Sequence, residues 1–269
     1  MDMDRNKSIT ADSFWLVSKR LYTVSKLIIT DMNTIIKTTL LAIIAMCFSI
    51  NADTQDWANL NRFKEANSKL GISTTCNDRV VFMGNSITQG WIDNVPSFFE
   101  GREFINRGIG GQTTPQMLLR FRQDVIDLKP KVVVILAGTN DIAGNTGPST
   151  LEMIEDNIRS MTELAHANGI EVVLCSVLPV FKYPWRESVT DVPEKIMELN
   201  RRIQKYASAS GSVYCDYFSE MADDRNGLPP TLAKDEVHPT LEGYAIMAPI
   251  AERAIAQALT IWNMKNIKK

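Results

Sequence analysis

From residue 80 onward, short apolar runs rich in β-branched residues alternate with longer segments whose apolar positions recur every three or four residues. The runs Val80–Met83, Glu103–Asn106, Val132–Ala137, Glu171–Val177 and Ser212–Asp216 read as strands. Runs such as KVVVILAG are continuously apolar, as a parallel strand covered on both faces requires. The segments between them read as amphipathic helices. In STLEMIEDNIRSMTELAHANG, Leu151, Ile154, Ile158, Met161 and Ala165 share one face, with Ser149 or Thr150 as N-cap and Gly169 as C-cap. Further helices are expected near Pro115–Leu128, Pro193–Ala209 and Leu241–Trp262, and an earlier one over TQDWANLNRFKEANSKLG, closed by Gly71. Strands alternating with helices predict an α/β fold, a three-layer α/β/α sandwich. Its five-stranded parallel sheet should follow a flavodoxin-like order, with function at the carboxyl ends of the strands.

The N-terminal pattern is of another kind. MNTIIKTTLLAIIAMCFSINAD starts at Met32, carries Lys37, and is apolar from Leu40 to Ile50 apart from Ser49. A short positive segment followed by an apolar stretch too short to span a bilayer predicts a signal peptide over residues 32–52, cleaved near Ala52. Residues 1–31 then form an upstream extension outside the native structure, and 53–269 a single domain. A periplasmic or secreted location is expected, with no stable membrane span in the mature chain. Ile50 suits the cleavage rule poorly, so an uncleaved membrane anchor is an alternative. A lipoprotein built on Cys47 is another, disfavoured by Met46.

Composition adds mainly exclusions. The chain of 269 residues has room for one generous domain rather than two. Its formal net charge of −2 gives no general pull towards nucleic acid, and no nucleic-acid partner is expected. Of the four cysteines, Cys47 would leave with the signal. Cys76, Cys175 and Cys215 have no metal-like spacing. Cys175 and Cys215 fall in apolar runs and read as small core residues. No metal and no cofactor are expected.

Four short segments can carry chemistry. GNSIT, NRGIGGQTT and AGTND each follow a strand, so a parallel sheet brings them to one edge; DEVHP precedes the last helix and needs only to fold over it. A serine hydroxyl is a weak nucleophile that needs a base and a group orienting that base. The chain has two histidines. His166 lies in the last turn of a helix, where a histidine suits the C-terminal dipole. His238 lies in a polar loop three residues after Asp235. Gly110 and Gly111 carry no Cβ and allow close backbone approach, and Asn140 offers a side-chain NH₂ after a buried strand. Taken singly, each has an ordinary reading as a turn or loop residue. A dinucleotide fingerprint fails because Thr113 stands where glycine is needed, and no Walker lysine follows.

In their order and their placement after strands, these segments resemble the blocks of the SGNH (GDSL) hydrolase family over roughly residues 78–258. The resemblance implies a serine esterase with Ser86 as nucleophile, His238 as base and Asp235 as its partner. It also implies an oxyanion hole formed by the Ser86 backbone N–H, Gly111 and Asn140. One position departs from the pattern: Asn85 stands where the family usually has aspartate, so no role that depends on that charge is carried over to this chain. The loop LPVFKYPWRESVTD should overhang the same edge, with Phe181, Tyr183, Trp185 and Arg186 as a substrate wall. The resemblance and the signal together favour a small-molecule or glycan ester with a short acyl group, O-acetyl on carbohydrate foremost. A lysophospholipase or thioesterase acting on lipid esters, and a non-catalytic carbohydrate-binding module, are the alternatives. The oligomeric state is left open.

Overall fold

The alternation of strands and helices closes into one parallel sheet in the computed structural model, which describes residues 11–49, 56–70 and 78–266. The chain divides into two units, residues 1–56 and 57–269. Within the described residues of the first lies one helix, α1 (Ala11–Ser49), which runs unbroken through Met32 and exposes Trp15, Leu21, Leu27 and Ile35. Among the described residues no helix is long and apolar enough to cross a membrane. The cleavage site expected near Ala52, the C-cap expected at Gly71, and Cys76 lie outside the described residues.

The second unit contains, in chain order, α2 (Lys64–Lys69), β1 (Val80–Gly84), α3 (Ser86–Asn94), β2 (Phe104–Gly108), α4 (Thr114–Asp124), β3 (Val132–Leu136) and α5 (Thr139–Ile142). There follow α6 (Leu151–Ala167), β4 (Glu171–Cys175), α7 (Val192–Ser210), β5 (Val213–Cys215), α8 (Phe218–Met221) and α9 (Leu241–Asn266). All strand pairings are parallel, in the order β2-β1-β3-β4-β5. The fold is the expected α/β/α sandwich.

Alternate residues of each strand serve opposite layers, which is why the runs are apolar throughout. Val81, Met83, Val133, Ile135, Val172 and Leu174 pack with Phe121 of α4, Ile154 and Ile158 of α6, and Leu199 of α7. Val80, Phe82, Val132, Val134 and Val173 pack with Trp91 of α3 and with Tyr244, Met247 and Ala251 of α9. In that second layer the Trp91 ring stacks on Phe98 at 4.6 Å and on Tyr244 at 5.6 Å. Each large apolar side chain buried in this way contributes about 1.5–3 kcal/mol. Cys175 and Cys215 pair in register across β4 and β5 as buried free thiols, in the core as expected.

Two elements differ from expectation. The helix expected over residues 54–71 shrinks to the six residues of α2, preceded by turns from residue 56 to 63. None of its residues is buried, so no apolar face stabilises a longer helix. The helix expected over 115–128 breaks at Val125 into α4 and a 3₁₀ turn, Ile126–Leu128, closed by Lys129 in the left-handed region.

Candidate active site

The turn after β1 is a helix start. Asn85 is the N-cap of α3, its side-chain oxygen accepting from the Ile87 N–H at 2.9 Å. Asparagine caps as well as aspartate does, so this position works locally without the charge. Ser86 is thus the first helical residue, where a backbone N–H has no partner within the helix. α3 passes so close to the end of β2 that a side chain on Gly108 would collide with the backbone of Gln89.

His238 and Asp235 reach this serine from the loop before α9. Ser86 Oγ lies 2.8 Å from His238 Nε2, and His238 Nδ1 lies 2.8 Å from Asp235 Oδ2. Asp235 Oδ1 also accepts from the backbone N–H groups of Val237 at 3.2 Å and His238 at 2.8 Å. Partial burial pushes the Asp235 carboxyl up. The hydrogen bonds from the His238 backbone and ring, the charge of that ring and the Val237 N–H outweigh this, holding it below the usual carboxylate range. Asp235 therefore stays ionised beside the imidazole. A serine hydroxyl in this relay can give its proton to His238 as it attacks an electrophile.

Gly111 lies on the loop after β2, and Asn140 in the short helix α5 that follows β3. Gly111 has φ +75°, a region that favours glycine, and its N–H takes no partner among the described residues. Asn140 is buried in α5 and donates from Nδ2 to the Gln112 carbonyl at 3.0 Å. An amide NH₂ has two hydrogens, so one of these remains to be used. The neighbouring Gly110 N–H is already taken by Gln89 Oε1 at 2.9 Å.

Behind these donors is a lattice of buried polar groups. Arg120 of α4, wholly buried, donates to Gln112 Oε1 at 2.6 Å, to the Gly84 carbonyl at 3.1 Å and to the Arg107 carbonyl at 2.8 Å. It is paired with Asp124 at 3.1 Å. One guanidinium thus ties together the ends of β1 and β2 and the loop bearing Gly111. Asp141, next to Asn140, accepts from the Thr114 N–H at 2.9 Å and from its hydroxyl at 2.5 Å, capping α4 from outside. Burial raises the Asp141 carboxyl to about 6, against the lowering effect of the Thr114 bonds. Neither Arg120 nor Gln112 stands out in the sequence, where each reads as an ordinary helix or loop residue.

The expected substrate wall divides. Tyr183 is a correction: it is fully buried, its hydroxyl 3.0 Å from that of Thr139, so it offers no surface to a ligand. Trp185 is 43% exposed, and its ring centroid lies 6.4 Å from that of His238. Arg186 is exposed and lines a cleft of about 410 Å³ between the 141–149 and 186–195 loops. Phe181 is exposed beneath the guanidinium of Arg225, 4.8 Å from the ring centroid. His166 ends α6, which leads into the amino end of β4, and so lies at the sheet edge away from Ser86. Burial lowers its pKa.

A GDSL-like lipase of Bacteroides thetaiotaomicron, of known crystal structure, is 48% identical with a TM-score of 0.73, over 75% of this chain and 98% of that one. The uncharacterized lipoprotein YqeF of Bacillus subtilis is 31% identical over 134 residues, 42% of this chain and 55% of YqeF. The acetylxylan esterase of Xylanibacter ruminicola is 24% identical over 212 residues, 66% of this chain and 43% of that protein. The chain therefore spans about half the length of these two curated relatives. The profile of the GDSL-like lipase/acylhydrolase family matches residues 82–246, a stretch holding Ser86, Gly111, Asn140, Asp235 and His238. With more than half of its length so matched, the chain belongs to the GDSL-like lipase/acylhydrolase family.

Proposed function

We propose that this chain is a serine carboxylic ester hydrolase that removes short acyl groups, O-acetyl foremost, from carbohydrate. The observation that carries this reading is the continuous relay from Ser86 through His238 to Asp235, with both links at 2.8 Å. Ser86 Oγ attacks the ester carbonyl while His238 Nε2 takes its proton. Asp235 holds the Nδ1–H tautomer and stabilises the imidazolium that forms. The Ser86 and Gly111 backbone N–H groups and the free Nδ2 hydrogen of Asn140 receive the developing oxyanion. His238 then protonates the departing alcohol. In the second half-reaction it activates a water that releases the acid from the acyl-serine.

A polar alcohol suits the half-open surface at His238, where the neighbouring loop exposes Trp185 and Arg186 to solvent. The acetylxylan esterase relative supports carbohydrate as that alcohol. Export as a periplasmic, secreted or lipid-anchored protein is supported by the signal-like segment and by the lipoprotein relative. The other reading, a binding module without catalysis, rests on Asn85 alone, and the cap that Asn85 forms removes most of its weight.

The test is Ser86→Ala, assayed on p-nitrophenyl acetate and acetylated sugars. A folded variant is expected to lose at least about 10⁴-fold in turnover, and with it all labelling by a fluorophosphonate. Undiminished turnover overturns the reading. A parent protein that hydrolyses no ester and takes no label is the binding module.

A further inference from the structure

The direction of proton transfer says which half of the ester a neighbouring side chain meets. His238 Nε2 delivers a proton to the leaving alcohol, so side chains packed beside the imidazole face the alcohol rather than the acyl group. Trp185 is such a side chain, tilted 32° to the His238 ring and partly open to solvent. Two other contacts fix it. Its ring lies 5.3 Å from that of Tyr183, whose hydroxyl is anchored on Thr139. Its indole N–H donates to Asn145 Oδ1 at 3.2 Å.

Asn145 also reaches the oxyanion side. Its Nδ2 donates to the Gly111 carbonyl at 3.3 Å, and its backbone N–H donates to the Asn140 carbonyl at 3.0 Å. One asparagine thus holds the exposed indole and the peptides of both oxyanion-loop residues in a common frame.

We propose that Trp185, positioned by Asn145, is the platform on which the sugar ring of a glycosyl ester lies, so that the enzyme selects carbohydrate alcohols here. The inference rests on the serine esterase reading and adds to it the surface that recognises the alcohol. An indole with its N–H already satisfied presents an apolar face to the C–H side of a pyranose, while the sugar hydroxyls stay in water. A lipid alcohol would need an enclosed apolar channel instead. The polar groups next to the indole are Asn145, which accepts its N–H, and the exposed Arg186 that follows it in the chain.

The experiment compares acetate release from an acetylated xylo-oligosaccharide and from ethyl acetate, which has no ring to stack. The quantity read is the ratio of the two kcat/KM values. Trp185→Ala is expected to lower that ratio about tenfold, mainly through KM for the glycan. Trp185→Leu, which keeps apolar bulk without a flat face, is expected to behave alike, and Trp185→Phe to recover most of the loss. Asn145→Ala is expected to lower the ratio and also kcat on both esters, because the Gly111 peptide loses its partner. An unchanged ratio in both Trp185→Ala and Trp185→Leu overturns the proposal. Binding separates this failure from failure of the esterase reading. In Ser86→Ala protein, calorimetric affinity for the same oligosaccharide should fall about tenfold on adding Trp185→Leu. Equal affinity overturns the platform whether or not the parent turns over any ester.

Discussion

Ser86 is flanked by two regions built on different terms. On the side of the proposed oxyanion donors, Asn140, Gln112 and Arg120 are buried and linked by hydrogen bonds, and Asp141 and Thr114 form a second buried pair. On the other side the His238 and Asp235 side chains, the proposed base and its partner, are 34% and 44% exposed, on a surface loop held by the turn from Asp235 to His238. That turn includes Glu236 at φ +66°, a left-handed position that disfavours a side chain. The difference matches the work proposed for each side. Oxyanion donors help most when they already point at the place where charge will appear, in a site that excludes water. A buried lattice supplies that orientation. In the proposed reaction His238 meets the alcohol and then water, and a half-open loop allows both.

The contrast can be tested in order of expected effect. Asp235→Asn keeps the shape of the loop but frees the imidazole tautomer, and should lower kcat by about 10⁴-fold with little change in unfolding temperature. Asn140→Ala removes one oxyanion donor and should lower kcat by about 10²–10³-fold, with KM nearly constant. A rise in KM alone, with kcat unchanged, would contradict its placement. Arg120→Met leaves Asp124 buried without its cation and should cost about 3–5 kcal/mol in urea unfolding. Lys182→Met breaks the exposed pair with Glu236, at 3.6 Å, and should cost no more than about 1 kcal/mol. Equal losses in these two variants would erase the distinction between the sides.

Asp141 gives a pH-dependent version of the test. Its carboxyl, raised to about 6 in the fold, binds a proton there before the unfolded chain does. Parent stability relative to Asp141→Asn should therefore fall, by about 3 kcal/mol in all, as pH rises from about 4 through 6. Denaturant titrations of both proteins across that range check the sign. Smallest of all, Asn85→Asp should change turnover by less than about threefold, since either side chain caps α3.

The strands, their helices and the edge to which GNSIT, NRGIGGQTT and AGTND converge are legible in the sequence, because periodicity and strand–helix alternation are local properties. The asymmetry of the site is not. Arg120 sits in LLRFRQD, a pattern that reads as an exposed cation on an amphipathic helix. Its partners, the Gly84 and Arg107 carbonyls, lie 36 and 13 residues away along the chain. Tyr183 and Trp185 are aromatics two residues apart in one loop, and their composition treats them alike. Only packing buries the first on Thr139 and leaves the second beside His238.

By itself, then, the amino-acid sequence determined the order of elements, the two-sided burial of the sheet and the residue types that could serve acyl transfer. The tertiary structure alone decided which of those residues meet. Ser86 and His238 are 152 residues apart and come within 2.8 Å, and Asn145 joins the Trp185 indole to the Gly111 loop across separate turns. The physical reason is that a hydrogen bond or a buried charge depends on groups brought from distant segments, whereas apolar periodicity is written within a single turn of the chain.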